Sequence, residues 1–249
     1  MSNNQTYKIA HDNLRAFIRR GAYREAAEFA EGLPVETRSH PLVALESSRG
    51  FLKQGHPINA ERALSLADLS QATSGQRLII ALETAALQIY RSVAIREAVR
   101  DAKAAFANAD AAAISPADWA EAERVKVRIL LTAVTYHEIS SEEGQQARER
   151  LLEISKILMA DERIDEALAA RLTYAEKLDD PMTRIDALLK LAQVALEHNR
   201  PNIAAESQLN AADQMILPEN RVNVLARRSI KPQRSTVRAI TFTVQSTYH

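Results

Sequence analysis

Cysteine is missing altogether from the 249 residues, which excludes disulfides, thiolate metal centres and a cysteine nucleophile and fits a reducing compartment. Glycine is nearly as scarce. The six glycines, at 21, 32, 50, 55, 75 and 144, stand too far apart to build a phosphate-cradling loop, and no Walker or dinucleotide fingerprint is present. With only eight prolines besides, the chain has little material for hairpin turns. Aromatics make up 5% while alanine is abundant, which suits closely packed helices better than a sheet sandwich. An excess of either charge is lacking too. Lysine plus arginine equals aspartate plus glutamate, 32 against 32, so no global field recruits nucleic acid or an anionic membrane. No apolar run approaches the roughly twenty residues of a membrane span, and the polar start Met1-Ser-Asn-Asn-Gln-Thr lacks the order of a secretory signal. The expectation is a cytoplasmic protein without membrane association.

What is present is an internal echo. Phe17, Gly21, Ala26 and Ala30 recur thirty-four residues later as Phe51, Gly55, Ala60 and Leu64, and again after thirty-eight as Ile89, Val93, Ala98 and Ala102. An isolated helix pair cannot bury its apolar face, so a repeat at this interval points to stacked hairpins that cover one another. The first hairpin reads as helices over about Gln5 to Arg20 and Tyr23 to Glu31 with a turn at Gly21. The second runs over about Pro41 to Gln54 and Pro57 to Leu69, turning at Gly55, and the third over about Gln76 to Arg91 and Ile95 to Ala109.

These residues resemble the tetratricopeptide repeat, which sets a large residue on the first helix, a glycine four later, an aromatic two after that and alanine three further on. Residues 17 to 26, Phe-Ile-Arg-Arg-Gly-Ala-Tyr-Arg-Glu-Ala, carry that pattern. Glycine permits the sharp turn, and alanine lets two helix backbones approach closely. The chain departs from the family where a large aromatic is usual early in the first helix, with Ala10, Ala44 and Leu82, and where a proline usually ends the repeat, with Arg38, Ala72 and Asp110. The resemblance implies an all-α, right-handed solenoid of stacked antiparallel hairpins. Residues 5–110 hold the clearest repeats, and 111–217 hold longer, degenerate ones.

Beyond residue 110, Ser115-Pro116-Ala117-Asp118 opens a helix to about Glu138, and Ser140 and Ser141 with Glu142 and Glu143 open the next, to about Ala160. Helices over about Asp161 to Leu178 and Pro181 to His198 are divided by Asp179-Asp180-Pro181, and Arg200-Pro201-Asn202 with Leu217-Pro218 bracket one more. That makes about eleven helices. Residues 218–249 read as a basic tail or linker: Arg221, Arg227, Arg228, Lys231, Arg234 and Arg238 face the single acid Glu219, and Ala239 to Val244 alternates like a strand.

No catalytic, cofactor or metal site can be assembled. His137-Glu138 lacks the second histidine of a zinc protease one turn later, since position 141 is serine. Glu142-Glu143 and Asp179-Asp180 stand where helices begin, and acids there answer the helix dipole. Trp119 reads as a packing residue.

One constellation suits binding. In repeats of the resembled type the first helix of each hairpin lines the concave surface, which brings Arg15 level with Arg49, and Arg19 level with Lys53 and Arg91. Such a basic ladder can hold acidic side chains or a terminal carboxylate, unless Glu46 and Glu83 neutralise it. The carboxylate clamp of chaperone-binding members is not carried over, because its places are His11, Arg15, Glu46, Ile80 and Thr84 here. The expectation is a noncatalytic protein-interaction scaffold with a peptide or protein partner, acidic if the ladder binds it. The alternatives are a sensor or adaptor of a larger regulatory system and, less favoured, nucleic-acid binding through the basic tail. Self-association is a further expectation, because Ile203, Leu209, Met215, Ile216 and Leu217 give the last helix an apolar end surface.

Overall fold

The computed structural model describes residues 3–92 and 94–216, with side chains over 5–90 and 94–215. The tail expected over 218–249, its strand-like stretch and the side chains of Arg91, Ile216 and Leu217 lie outside the described residues.

Among the described residues there are twelve α-helices and no strand. They are α1 (Asn3–Arg19), α2 (Tyr23–Gly32), α3 (Val35–Arg38), α4 (Pro41–Lys53), α5 (Pro57–Ser65), α6 (Ser74–Ser92), α7 (Ile95–Ala107), α8 (Pro116–Thr135), α9 (Ser141–Ala160), α10 (Ile164–Glu176), α11 (Pro181–Glu197) and α12 (Pro201–Ile216). The helix absent from the sequence reading is α3, a single turn that begins after Pro34, too short to show a periodic face. Helix α5 stops at Ser65, short of the expected Leu69, because Asp68 folds back. Its backbone N–H donates to the Ser39 carbonyl at 2.7 Å, and its side chain accepts from the Ser70 amide and starts a 3₁₀ turn over Leu69–Gln71. Asp110 repeats the device ahead of α8, accepting from the Ala112 amide. The expected N-caps form: Ser115 accepts from Asp118, Ser140 from Glu143 and Asp180 from Thr183.

Neighbouring helices pack in pairs along the chain, an arrangement compatible with a helical repeat. The small residues of the echo sit where the helices meet. Ala26, Ala60, Ala98 and Ala102 are each fully buried, and a Cβ built on Gly50 would touch that of Ala26 at 3.4 Å. One apolar cluster runs from α1 to α8, with Leu14, Val43, Ile79, Leu82, Val125 and Ile129 at its centre. Smaller clusters continue it through α8–α10 and α10–α12. Trp119 packs edge-on against Phe106, with ring centroids 5.1 Å apart, as a packing residue does.

The turns explain why the repeat fades from view after residue 110. Gly21 and Gly55 take φ of 70° and 83°. Three later turns have the same left-handed residue without glycine, at His137 (59°), Glu162 (59°) and Asn199 (56°). The left-handed residue at 162 also moves the start of α10 from the expected Asp161 to Ile164. A side chain in that conformation costs about 1 kcal/mol, least for asparagine. Glu162→Gly should therefore raise stability by about 1 kcal/mol, and Asn199→Gly by clearly less, read from urea midpoints at constant m-value.

Candidate functional site

Alternate helices turn toward a common centre. Side chains from α1, α4, α6, α8, α10 and α12 surround a cavity of about 460 Å³, while α5, α7, α9 and α11 contribute none of its lining. Ile18, Leu52, Leu172 and Ile203 supply apolar wall, Tyr23 and Tyr90 supply aromatic edges, and the remaining surface is dominated by charge.

The ladder residues Arg15, Arg19, Arg49 and Lys53 all line this cavity. They do not form a free cationic strip, because each meets carboxylates of the same chain. Arg15 donates to both oxygens of Glu166, at 2.9 and 3.1 Å, across 151 residues. Arg19 donates to Asp165 at 2.7 Å, and Arg200 donates to the other oxygen of the same carboxylate. The Asn202 amide adds a bond to the Arg19 carbonyl at 2.6 Å. These contacts clasp the end of α1 onto the start of α10 and the start of α12. Lys53 meets Glu206 more loosely, at 3.7 Å, with both side chains about half exposed.

A deeper knot joins α4, α6 and α8. Arg49 lies against Glu46 (3.2 Å), Glu83 (3.5 Å) and Glu121, while Arg124 donates twice to Glu121 at 2.8 Å and Arg128 donates to Glu83 at 2.6 Å. Arg163 ties the knot toward the clasp, with Asp118 at 3.0 Å and Glu166 at 3.8 Å. Burial would raise the Glu121 carboxyl, but Arg124 and Arg49 outweigh it and hold the group well below the ordinary glutamate range. Burial is likewise outweighed at Glu83 by Arg128 and Arg49, and at Asp165 by the bonds from Arg200 and Arg19, so both carboxyls are lowered. For Arg49 the same contest runs in reverse: burial lowers it, yet Glu46, Glu121 and Glu83 together raise it above ordinary arginine.

The opposite end of the cavity is less well neutralised. Burial and the nearby Glu206 raise the Glu176 carboxyl, which accepts from the Asn210 amide at 2.7 Å. Lys53, Glu206 and Tyr90 leave this end open to solvent. The fixed charges alternate in sign around an apolar floor, so the cavity is suited to hold a molecule with both polar ends and apolar bulk.

Three of these pairs are visible as helical neighbours, Glu46 with Arg49, Glu121 with Arg124 and Arg163 with Glu166. The partners of Arg15 and Arg19, and the pairing of Arg49 with Glu121, are not, because separations of 72 to 151 residues leave no local signature. Among the described residues no group of three or more His, Cys, Asp and Glu side chains could hold a metal ion, and no helix is long and apolar enough to cross a membrane. No protein-family model matches the chain, and no curated protein matches it significantly.

Two outcomes follow from the paired charges. Glu121→Ala leaves Arg49 and Arg124 buried without their shared carboxylate and should cost about 3–5 kcal/mol, measured by urea unfolding. The lowered carboxyls contribute stability that is fully present above the ordinary values, 4.5 for glutamate and 3.8 for aspartate, and lost as pH falls through their folded values. Glu176, being raised, acts in the opposite sense and favours the fold on acidification. Three lowered groups against one raised make the urea midpoint fall between pH 6 and pH 3, and Asp165→Asn should shrink that fall.

Proposed function

We propose that the chain is a noncatalytic interaction scaffold of tetratricopeptide-like helical repeats, coiled right-handed, that takes a short segment of a partner protein into the cavity between its inner helices. The observation that carries this reading is the cavity itself. Its 460 Å³ falls within the ~300–1,000 Å³ usual for binding sites, and it combines apolar wall with charges held in fixed places. Pairing within the chain bears on which segment suits it. The arginines of the ladder are neutralised, so a purely acidic strand finds no excess of cations there. A segment carrying one acidic and one basic side chain can exchange with the most exposed pair of the cavity, Lys53 and Glu206, whose separation is 3.7 Å. Apolar side chains between those two charges then cover Leu52, Leu172 and Ile203.

Two tyrosines of matched exposure provide the test. Tyr90 lines the cavity and is 57% exposed, while Tyr136 is 55% exposed and does not line it. With the photocrosslinker p-benzoylphenylalanine at either position, the cavity probe should label one recurring peptide segment in cells. Lys53→Glu should reduce that labelling several-fold while helicity stays unchanged. Equal labelling from position 136, or labelling indifferent to Lys53→Glu, would remove the cavity as the docking place.

A further inference from the structure

A second cavity, of about 170 Å³, lies away from the inner face, among α2, α3, α4 and α5. Its polar side holds an unusual combination. Ser47, on α4, is 5% exposed, and its hydroxyl is buried without a hydrogen-bond partner. The Nε of Arg38, at the end of the one-turn α3, is also buried and unpartnered. Both residues line this cavity, and Arg62 of α5 lines it as well. Neither guanidinium forms an ion pair among the described residues. That sets them apart from the inner-face arginines, each of which has a carboxylate within 4.0 Å.

Buried polar groups in native proteins are ordinarily satisfied, so two unpartnered ones on residues that line one cavity point to an acceptor there. Two guanidiniums and a hydroxyl are the donor set for an oxyanion, with the arginine fork giving two-pronged contact. Glu31 is the one acid in the lining, and its carboxylate is engaged by the Asn59 amide at 3.4 Å, which leaves the site with a net charge of +1. Phe51, Ala63 and Leu66 complete the wall as apolar surface. A singly charged anion with a small hydrocarbon body matches both halves. In size the cavity is comparable with an engineered ~150 Å³ cavity that accepts benzene.

We propose that this cavity binds a carboxylate borne on a short apolar group, with Arg38 and Arg62 holding the carboxylate, Ser47 donating to it and Phe51 and Leu66 covering the hydrocarbon. The site is separate from the inner cavity and stands whether or not that cavity receives a peptide. Such a carboxylate comes either from a free acid or from the terminal residue of a chain, and the recognition chemistry is the same.

Titration calorimetry of the full chain tests it with four probes: isovalerate, isovaleramide, N-acetylglycyl-leucine and inorganic phosphate. Isovalerate or the blocked dipeptide should bind, the neutral amide should not, and Arg62→Gln and Ser47→Ala should each weaken binding about tenfold. Binding of isovalerate alone assigns a free acid, and binding of the dipeptide alone assigns a chain terminus. Without ligand, Ser47→Ala should melt no lower than the parent, because it removes an unpartnered hydroxyl, so loss of binding there cannot be ascribed to unfolding. Absence of binding by both carboxylates, equal binding of the amide, tighter binding of phosphate, or indifference to both substitutions would overturn the assignment.

Discussion

A guanidinium withdrawn from water needs a carboxylate at hydrogen-bond distance, and the inner face of this protein withdraws several at once. Arg15, Arg19, Arg49, Arg124 and Arg128 come from three helices, and their partners Glu46, Glu83, Glu121, Asp165 and Glu166 come from four. No inner helix can be displaced without separating charges on another. Apolar packing alone would permit α10 to slide along α1, since methyl groups have no preferred partner. The contact of one Arg15 guanidinium nitrogen with both oxygens of Glu166 does not, and it fixes which residues face each other across the cavity.

The same pairing decides which charges of the cavity remain uncommitted. Most of its charge is committed to holding the helices together, and what remains available lies at one end, around Lys53, Glu206 and Glu176. Under the proposed binding role, recognition there would depend on exchange of partners more than on attraction to a net field, in keeping with a chain whose charges balance at 32 of each sign. The smaller cavity works in the opposite way. Arg38 stands where the tetratricopeptide pattern has proline, and its guanidinium, like that of Arg62, has no partner within the chain among the described residues.

Local rules carried much of the fold. Proline at the first position of α4, α5, α8 and α11, serine and aspartate caps, and the echo of Gly21 and Ala26 in Gly55 and Ala60 located most helix boundaries to within a few residues. The rules failed where a short element has no period, at α3, and where side-chain residues occupy a glycine conformation, at His137, Glu162 and Asn199. For the inner site, register alone grouped Arg15, Arg19, Arg49 and Lys53, and all four line the cavity. Glu46 and Glu83 were legible as neutralising neighbours of Arg49, but Asp165, Glu166 and Glu121 arrive from distant helices, and a single sequence holds no record of that meeting.

The bond from the Asn202 amide to the carbonyl of Arg19 spans 183 residues and ties α1 to α12. In an open stack of helix pairs each unit leans only on its neighbours, so the outermost units fray first and melting advances inward. Here α1 also leans on α10 and α12, through Arg15, Arg19 and Asn202. Side-chain bonds across the cavity therefore add to the contacts between neighbours, and loss of order in α1 removes support from α10 and α12 as well as from α2 and α4.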